Sequence, residues 1–345
     1  MRRRRGRRKW DGRSRGATEA TGFDKVDGVT RIVLAADFGG THLRAALISE
    51  DGEILQRREH QTPESASSQS IIAEVVELLA SVAALASERP AAACIATAGL
   101  IDAARGRVIL APNIPGFRNL VLTTPIAERL GIPAYIENDA SAAALGEFRF
   151  GAARGTRHLL HATVGTGIGG GIVIDGKLYR GASGLAGEIG HIILDPAGPR
   201  CNCGSRGCLE AMVSGVAFAA RAKRLLESGK SPVLKEIAGS RDPTAADLYT
   251  AATKGDQLCE AEIRHGGHLL GLGLGSVVNV LNPDAVTISG GLLAMGEMLL
   301  GPMKAAMYSL AYGPAAGTLL KVSTLGDDAG LLGAAAVALE YLEAG

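Results

Sequence analysis

The chain has 345 residues, more than one hydrophobic core usually organises, so two domains are expected. Hydrophobic residues at 47% and charged residues at 21% exclude a disordered chain, and no run of 18 apolar residues occurs, which excludes a membrane-spanning helix. Formal net charge is +1, yet residues 1–16 hold nine Arg or Lys against Asp11 alone, so the remainder carries −7 and its folded body is a poor partner for nucleic acid.

Residues 1–30 read as a basic, self-repelling arm, and no apolar stretch follows its arginines as a signal peptide would require. Ordered structure should start near Arg31. Ile32 to Ala36 reads as a buried strand ending in Asp37-Phe38-Gly39-Gly40-Thr41. A second strand, Leu43 to Ile48, leads through Asp51-Gly52, a two-residue hairpin signal, to a third, Glu53 to His60. A helix is expected over Gln69–Arg89, a strand over Ala92–Thr97 running into Ala98-Gly99, a short helix over Pro125–Leu130, a strand over Ala134–Glu137 and a helix over Ala140–Phe148. The opening plan then repeats about 125 residues on, as an internal duplication would. There His158 to Val164 is a strand, Gly165 to Gly171 a loop, Ile172 to Ile174 a strand, Asp175-Gly176 a turn and Lys177 to Arg180 a third strand. Helices follow over Leu209–Glu227, Ala245–Lys254 and Asp256–Leu281, then a strand Ala285–Ser289, a Gly290-Gly291 turn, a helix from Leu292 and a final helix Gly330–Leu342. Alternating strands and helices make this an α/β chain.

Three glycine turns follow buried strands, at Asp37–Thr41, Gly165–Gly171 and Gly290-Gly291. Backbone N–H groups in such turns cradle phosphates, because no Cβ blocks approach. Asp37 at the base of the first turn can hold Mg²⁺ against the phosphates, and Thr41 and Thr166 can donate hydroxyls. Gly165-Thr166-Gly167-Ile168-Gly169-Gly170 matches G-x-G-x-x-G, but a hairpin and not a helix follows it, which argues against a dinucleotide fold. Asp139 stands between a strand and a helix. The plain reading is a helix N-cap; the chemical one is a base accepting a hydroxyl proton, with Asn138 beside it to orient a polyol. Cys201, Cys203 and Cys208 with upstream His191 make a closed tetrahedral zinc set, structural and not catalytic, and a regulatory disulfide is the competing reading. A metal-bound His191 would present its other N–H beside Glu188, where Glu210 could join it. Cys94 and Cys259 read as core residues, and the lack of a disulfide framework suits the reducing cytoplasm.

Taken together, Asp37–Thr41, Glu137-Asn138-Asp139-Ala140, Gly165–Gly171, Gly187-Glu188-Ile189-Gly190-His191 and the Cys201–Glu210 segment resemble the ROK family of sugar kinases and sugar-responsive repressors. The resemblance covers residues 31–345 and implies a bilobal actin/hexokinase-like (ribonuclease H-like) fold with ATP and a hexose in the cleft. It assigns 31–142 with 327–345 to a small lobe and 143–326 to a large lobe carrying the zinc loop. It implies Asp139 as base and Gly99, Asn113, Asn138, Glu188, His191 and Glu210 as sugar contacts. ATP would lie on Asp37, Gly39, Gly40, Thr41, Thr166, Gly167, Gly290 and Gly291, with Mg²⁺, and zinc on His191, Cys201, Cys203 and Cys208. A homodimer or homotetramer is also implied. The loop Pro112-Asn113-Ile114-Pro115-Gly116-Phe117 looks more like glucokinases than N-acetylmannosamine kinases, which points to glucose 6-phosphate as product. His42 departs from the Lys or Asn of relatives.

Four readings compete with a glucokinase: an N-acetylhexosamine or fructose kinase, a non-catalytic sugar-binding regulator, an ATPase or scaffold of the same fold, and a zinc or redox module. Family repressors carry a helix-turn-helix domain ahead of the first glycine turn, and residues 1–30 lack its amphipathic pattern.

Overall fold

A computed structural model describes residues 31–62, 67–111 and 117–344 of the chain. The basic arm and Asn113 lie outside these residues. The first sheet takes strands β1 (Ile32–Phe38), β2 (His42–Ser49) and β3 (Ile54–Gln61) as an antiparallel meander. Helix α1 (Ser68–Ala83) then returns the chain to β4 (Ala93–Thr97), parallel to β1. Three short strands, β5 (Leu100–Asp102), β6 (Arg107–Leu110) and β7 (Arg118–Val121), form a small separate sheet. Helix α2 (Thr123–Leu130) leads to β8 (Ala134–Asn138), parallel to β4, and to α3 (Asp139–Arg149).

The second sheet repeats the scheme with β9 (Leu159–Val164), β10 (Ile168–Ile174) and β11 (Lys177–Leu178). Helices α4 (Leu209–Val213), α5 (Gly215–Glu227), α6 (Pro232–Ala238), α7 (Ala245–Thr253) and α8 (Gln257–Leu281) precede β12 (Ala285–Ser289). Helix α9 (Glu297–Leu310), β13 (Leu319–Val322) and α10 (Ala329–Ala344) complete the chain. The sheet orders are β3-β2-β1-β4-β8 and β11-β10-β9-β12-β13. Each is a meander followed by two parallel strands on the far side of its first strand, so the duplication read from spacing is real at the level of topology.

Three apolar clusters organise the interior. One face of the first sheet buries Leu34, Leu47 and Ile95 with Val75 and Leu79 of α1. The second sheet buries Leu160, Val286 and Ile288 with Phe218, Leu270 and Met303 from α5, α8 and α9. The third cluster joins the halves: Val33, Ala46 and Cys94 of the first sheet meet Ala142 and Leu145 of α3, Ala335 and Val337 of α10, and Leu159 and Val173 of the second sheet. Because α3 and α10 are packed on several sides, small side chains are needed all round. Their crossing is tight enough that a Cβ on Gly333 would lie 2.5 Å from the Ala142 carbonyl oxygen.

Several expectations are corrected. The Gly165–Gly171 loop is only three residues long; Gly169, Gly170 and Gly171 lie in β10, where a Cβ on Gly169 would stand 2.8 Å from the Ala140 Cβ. Gly169 and Gly171 serve the approach of α3 to the sheet, and Gly170, on the opposite face, that of the Gly187–Ile189 segment. The helix over Leu209–Glu227 breaks at Ser214, which caps α5 through the Ala217 N–H. Helix α1 stops at Ala83, short of Arg89, where Leu85 and Ala86 N–H groups close tighter turns onto Val82 and Ala83. The chain from Gly291 to Met295 is a 3₁₀ turn, with the α-helix starting only at Glu297. Strands β5, β6, β7 and β13 and helix α6 had no distinct signal. Cys94 and Cys259 are buried core residues, as expected.

Candidate active site

The site residues gather at the carboxyl ends of parallel strands, where open α/β sheets leave a crevice. Phe38, Thr97 and Asn138 are aligned in register across β1, β4 and β8. This brings the Asp37 turn, Gly99 and Asp139 together. Gly99 has φ +114° and a Cβ there would sit 2.5 Å from the Leu110 carbonyl, so only glycine fits. The Asn138 amide is oriented by the fold: Oδ1 accepts from Ala140 and Ser141 N–H at 3.0 and 3.1 Å, and Nδ2 donates one of its two N–H groups to the Gly99 carbonyl at 3.2 Å.

Asn138 is therefore the cap of α3, and Asp139 is its first helical residue, which corrects the plain reading of Asp139 as the cap. The Asp139 carboxylate accepts the Ala140 N–H at 2.9 Å and remains accessible to solvent. Protein nevertheless surrounds it in the crevice. Desolvation raises its pKa, the Ala140 hydrogen bond opposes that, and the nearby charges of Asp37 and Glu188 raise it further.

Asp37 and Arg44 are register partners on β1 and β2, and the Arg44 guanidinium closes on the Asp37 carboxylate while donating to the Asp327 carbonyl at 2.7 Å. Burial raises the Asp37 pKa and Arg44 counters it. The start of α10 lies against the same carboxylate at Gly330. In the turn, the Gly39 N–H is engaged by the His42 carbonyl at 2.9 Å, leaving Gly40 and Thr41 at its exposed tip. His42 pairs with Glu59 at 2.6 Å.

In the second half, the Gly165–Gly167 and Gly290-Gly291 turns are neighbours. Gly290, at φ +105°, approaches the Val164 backbone so closely that a Cβ would lie 2.8 Å from the Val164 nitrogen. The N-terminus of α5 joins them through Gly215 N–H to the Gly165 carbonyl at 2.8 Å. Between these elements lies an open, largely apolar cavity of about 470 Å³, lined by Thr166, Val216, Ala219, Thr244, Ala245 and Leu292 among others. Of its walls, only Thr166, Gly165 and Gly291 stood out in the sequence. The Thr244…Asp247 capping box was a readable signal, whereas Val216 and Ala219 carried none.

The cysteine loop folds back on itself. Cys201 N–H bonds the Ser205 carbonyl at 2.8 Å, and Gly204 and Gly207 take positive φ of +94° and +68°. His191, on a 3₁₀ turn, brings Nδ1 to 3.7 Å from Cys201 Sγ, and Cys203 and Cys208 Sγ are 3.6 Å apart. The four ligand atoms lie within 4.8 Å of one another. A tetrahedron of metal–sulfur bonds has edges of about 3.7 Å, so the donor set and its spacing fit one four-coordinate ion. The Ser205 N–H lowers the Cys203 thiol to about 7, while burial pushes Cys208 up to about 12. His191 Nε2 points the other way, 3.8 Å from Glu188 Oε2. Glu210, two residues past Cys208, accepts the Ile168 N–H at 2.9 Å and so ties this loop to the Gly165–Gly167 turn.

Comparison with known proteins agrees with this arrangement. The ROK family profile matches residues 33–341. A glucokinase of Thermotoga maritima is 36% identical over 316 residues, covering 90% of this chain and 98% of that protein. The ROK hexokinase of Thermus thermophilus superposes with a TM-score of 0.80 at 32% identity, over 91% of this chain and 100% of that one. A ROK glucokinase of Streptomyces griseus, solved in complex with glucose and AMPPNP, gives 0.74 at 33% identity, over 90% and 99%. With its two matched sheets, its glycine turns and its Cys/His cluster, this chain belongs to the ROK family.

Proposed function

We propose that the protein transfers the γ-phosphoryl group of ATP to a hexose, glucose to glucose 6-phosphate, with Asp139 as the base. The observation that carries this is the Asp139 carboxylate: solvent-accessible, at the end of β8, and close enough to Asp37 and Glu188 for their charges to act on it. The glucokinase relatives and the glucose and AMPPNP bound by the Streptomyces griseus enzyme supply the substrate class.

The base of ATP lies in the cavity between α5, α7 and the Gly290-Gly291 turn, and its phosphates run over Thr166 and Gly167 toward Gly40 and Thr41. Asp37, neutralised on one side by Arg44, faces the Mg²⁺ that accompanies the phosphates. The sugar is held by Glu188, His191 and Glu210, with Asn138 offering the N–H it does not spend on the Gly99 carbonyl; Asn113, the other expected contact, lies outside the described residues. His191, Cys201, Cys203 and Cys208 would hold a zinc ion that would fix the imidazole, and His191 keeps Nε2 beside Glu188 on the sugar side. Residues 31–142 with 327–345 form one lobe and 143–326 the other, with α3 and α10 as their common wall. Closure of the lobes excludes water, the competing phosphoryl acceptor.

Five free cysteines suit a reducing cytoplasm, and among the described residues no helix is long and apolar enough to cross a membrane. A homodimer is supported by a patch at the ends of α8 and α9, where Val280 and Tyr312 are 81% and 85% exposed beside Tyr308 and Leu310. The test of the reaction is ADP release coupled to a dye readout over a panel of hexoses and N-acetylhexosamines. Glucose should give the highest kcat/KM; a panel with no sugar-dependent ADP release would exclude the kinase reading.

A further inference from the structure

The strand that delivers Asp139 is anchored from behind by a buried ionic fork. Glu137, 2% exposed, accepts the Asn138 N–H on Oε1 at 3.0 Å and Arg180 Nε on Oε2 at 2.7 Å. Arg180 follows β11 in the second half, and its Nη2 donates to Glu340 Oε2 of α10 at 2.8 Å. Glu340 Oε1 in turn accepts the Leu178 N–H of β11 at 2.9 Å. The guanidinium also stands 5.1 Å from the ring centre of Tyr341, which stacks on Tyr135 of β8 at 4.2 Å. One side chain thus touches the strand that ends at the base, the helix between the sheets and, through Glu340, the edge of the second sheet.

This costs the fold something. Glu137 is a carboxylate drawn out of water, and ion pairs of this kind are often matched in stability by apolar packing of the same volume. Burial raises its pKa, and Arg180 and the Asn138 N–H oppose the rise. A costly pair immediately behind Asn138 and Asp139, bridging β8, α10 and the edge of the second sheet, calls for a role beyond stability.

We propose that Arg180 is a positioning residue for phosphoryl transfer: by bridging Glu137 and Glu340 it locks the Glu137-Asn138-Asp139 segment to the second half, so that closure keeps the base aimed at the acceptor hydroxyl. The proposal rests on Asp139 being the base. Misplacing a reacting group by a fraction of a bond length lowers turnover while leaving ground-state binding nearly intact.

The experiment compares Arg180→Met, Arg180→Lys, the double variant E137Q/R180M and Asp139→Asn in the full-length protein, reading kcat, KM for ATP, glucose affinity by calorimetry and Tm. Arg180→Met should lose about thirtyfold or more in kcat, with ATP KM and glucose affinity within about threefold of native. The double variant removes the buried unpaired charge at Glu137 and leaves only the more exposed Glu340 carboxylate without its cation, so its Tm should recover in large part while kcat stays about tenfold or more down. Arg180→Lys keeps the charge without the fork and should fall between; it and the double variant carry the test should Arg180→Met fail to fold. A double variant that regains both Tm and kcat would reduce the fork to a structural pair and overturn the proposal, as would native kcat in Arg180→Lys or Arg180→Met. The base is judged separately. An active Asp139→Asn overturns the base assignment whatever the Arg180 series gives, and an inactive one beside an unaffected Arg180→Met overturns the positioning role alone.

Discussion

Asn138, and not Asp139, caps helix α3, and the division of labour between these neighbours frees the Asp139 carboxylate for chemistry. Asn138 is committed on both ends of its amide, to the helix N–H groups and to the Gly99 carbonyl, so it cannot swing to replace its neighbour. Asp139→Asn should therefore fold normally, bind glucose, and lose about a hundredfold to ten-thousandfold in kcat. The pH profile of the native enzyme gives a second check. Burial and the charges of Asp37 and Glu188 raise the Asp139 pKa, and a base acts only when deprotonated, so the acid limb of kcat should lie above the ordinary range of an aspartate.

The glycines of β10 are a packing device. A Cβ on Gly171 would lie 2.8 Å from the Ala140 carbonyl and 3.0 Å from the Ser141 Cα, both fixed in α3. Gly171→Ala should cost about 1–3 kcal/mol of stability, read as a lowered denaturant midpoint, with KM for ATP unchanged in the folded fraction. Thr166→Ala, in the turn proper, should do the reverse and raise the ATP KM without moving the midpoint.

That contrast shows where the sequence was legible. Strand–turn–strand spacing located both meanders, and the strand ends at Asp37, Asp139, Gly165 and Gly290 located the crevice, because buried strands and the turns after them leave local patterns. Gly169 to Gly171 were misread because a glycine admitted for close packing against a neighbouring segment and one admitted for phosphate approach look alike along the chain. Val216, Ala219 and Leu292 could not be found, since a cavity wall assembled from α5, α7 and a 3₁₀ turn has no sequence spacing of its own. Arg180 was missed for the same reason: its partners, Glu137 and Glu340, are distant in the chain.

Metal should govern the sugar side of the site more than the nucleotide side. The four ligand atoms fit one tetrahedral ion, and His191 turns its second nitrogen toward Glu188. Elemental analysis of the purified protein should find one zinc per chain, and Cys203→Ala should lose most of it. The variant's KM for glucose should rise at least about tenfold, with KM for ATP changing less, because its loss frees the imidazole direction. Full zinc content in Cys203→Ala would remove that residue from the ligand set.

His161 gives the protein an acid-sensitive joint behind the Gly165 and Gly290 turns. Its Nδ1 meets Thr287 Oγ1 at 2.8 Å, and its Nε2 meets Ser289 and Thr163 hydroxyls at 3.1 and 3.2 Å, on the two strands that end in Gly290 and Gly165. Burial holds the imidazole down to about 4, so the native state stays unprotonated where the unfolded chain, near the usual 6.5, takes up a proton. The sign follows from linkage. Stability is complete above pH 6.5 and falls as pH drops toward 4, because the unfolded state binds the extra proton. Between pH 7 and pH 5 this amounts to about 2 kcal/mol. Urea midpoints across that range should fall in the native protein and fall distinctly less in His161→Gln, which cannot titrate. An equal slope in the two proteins would mean that the acid sensitivity arises elsewhere.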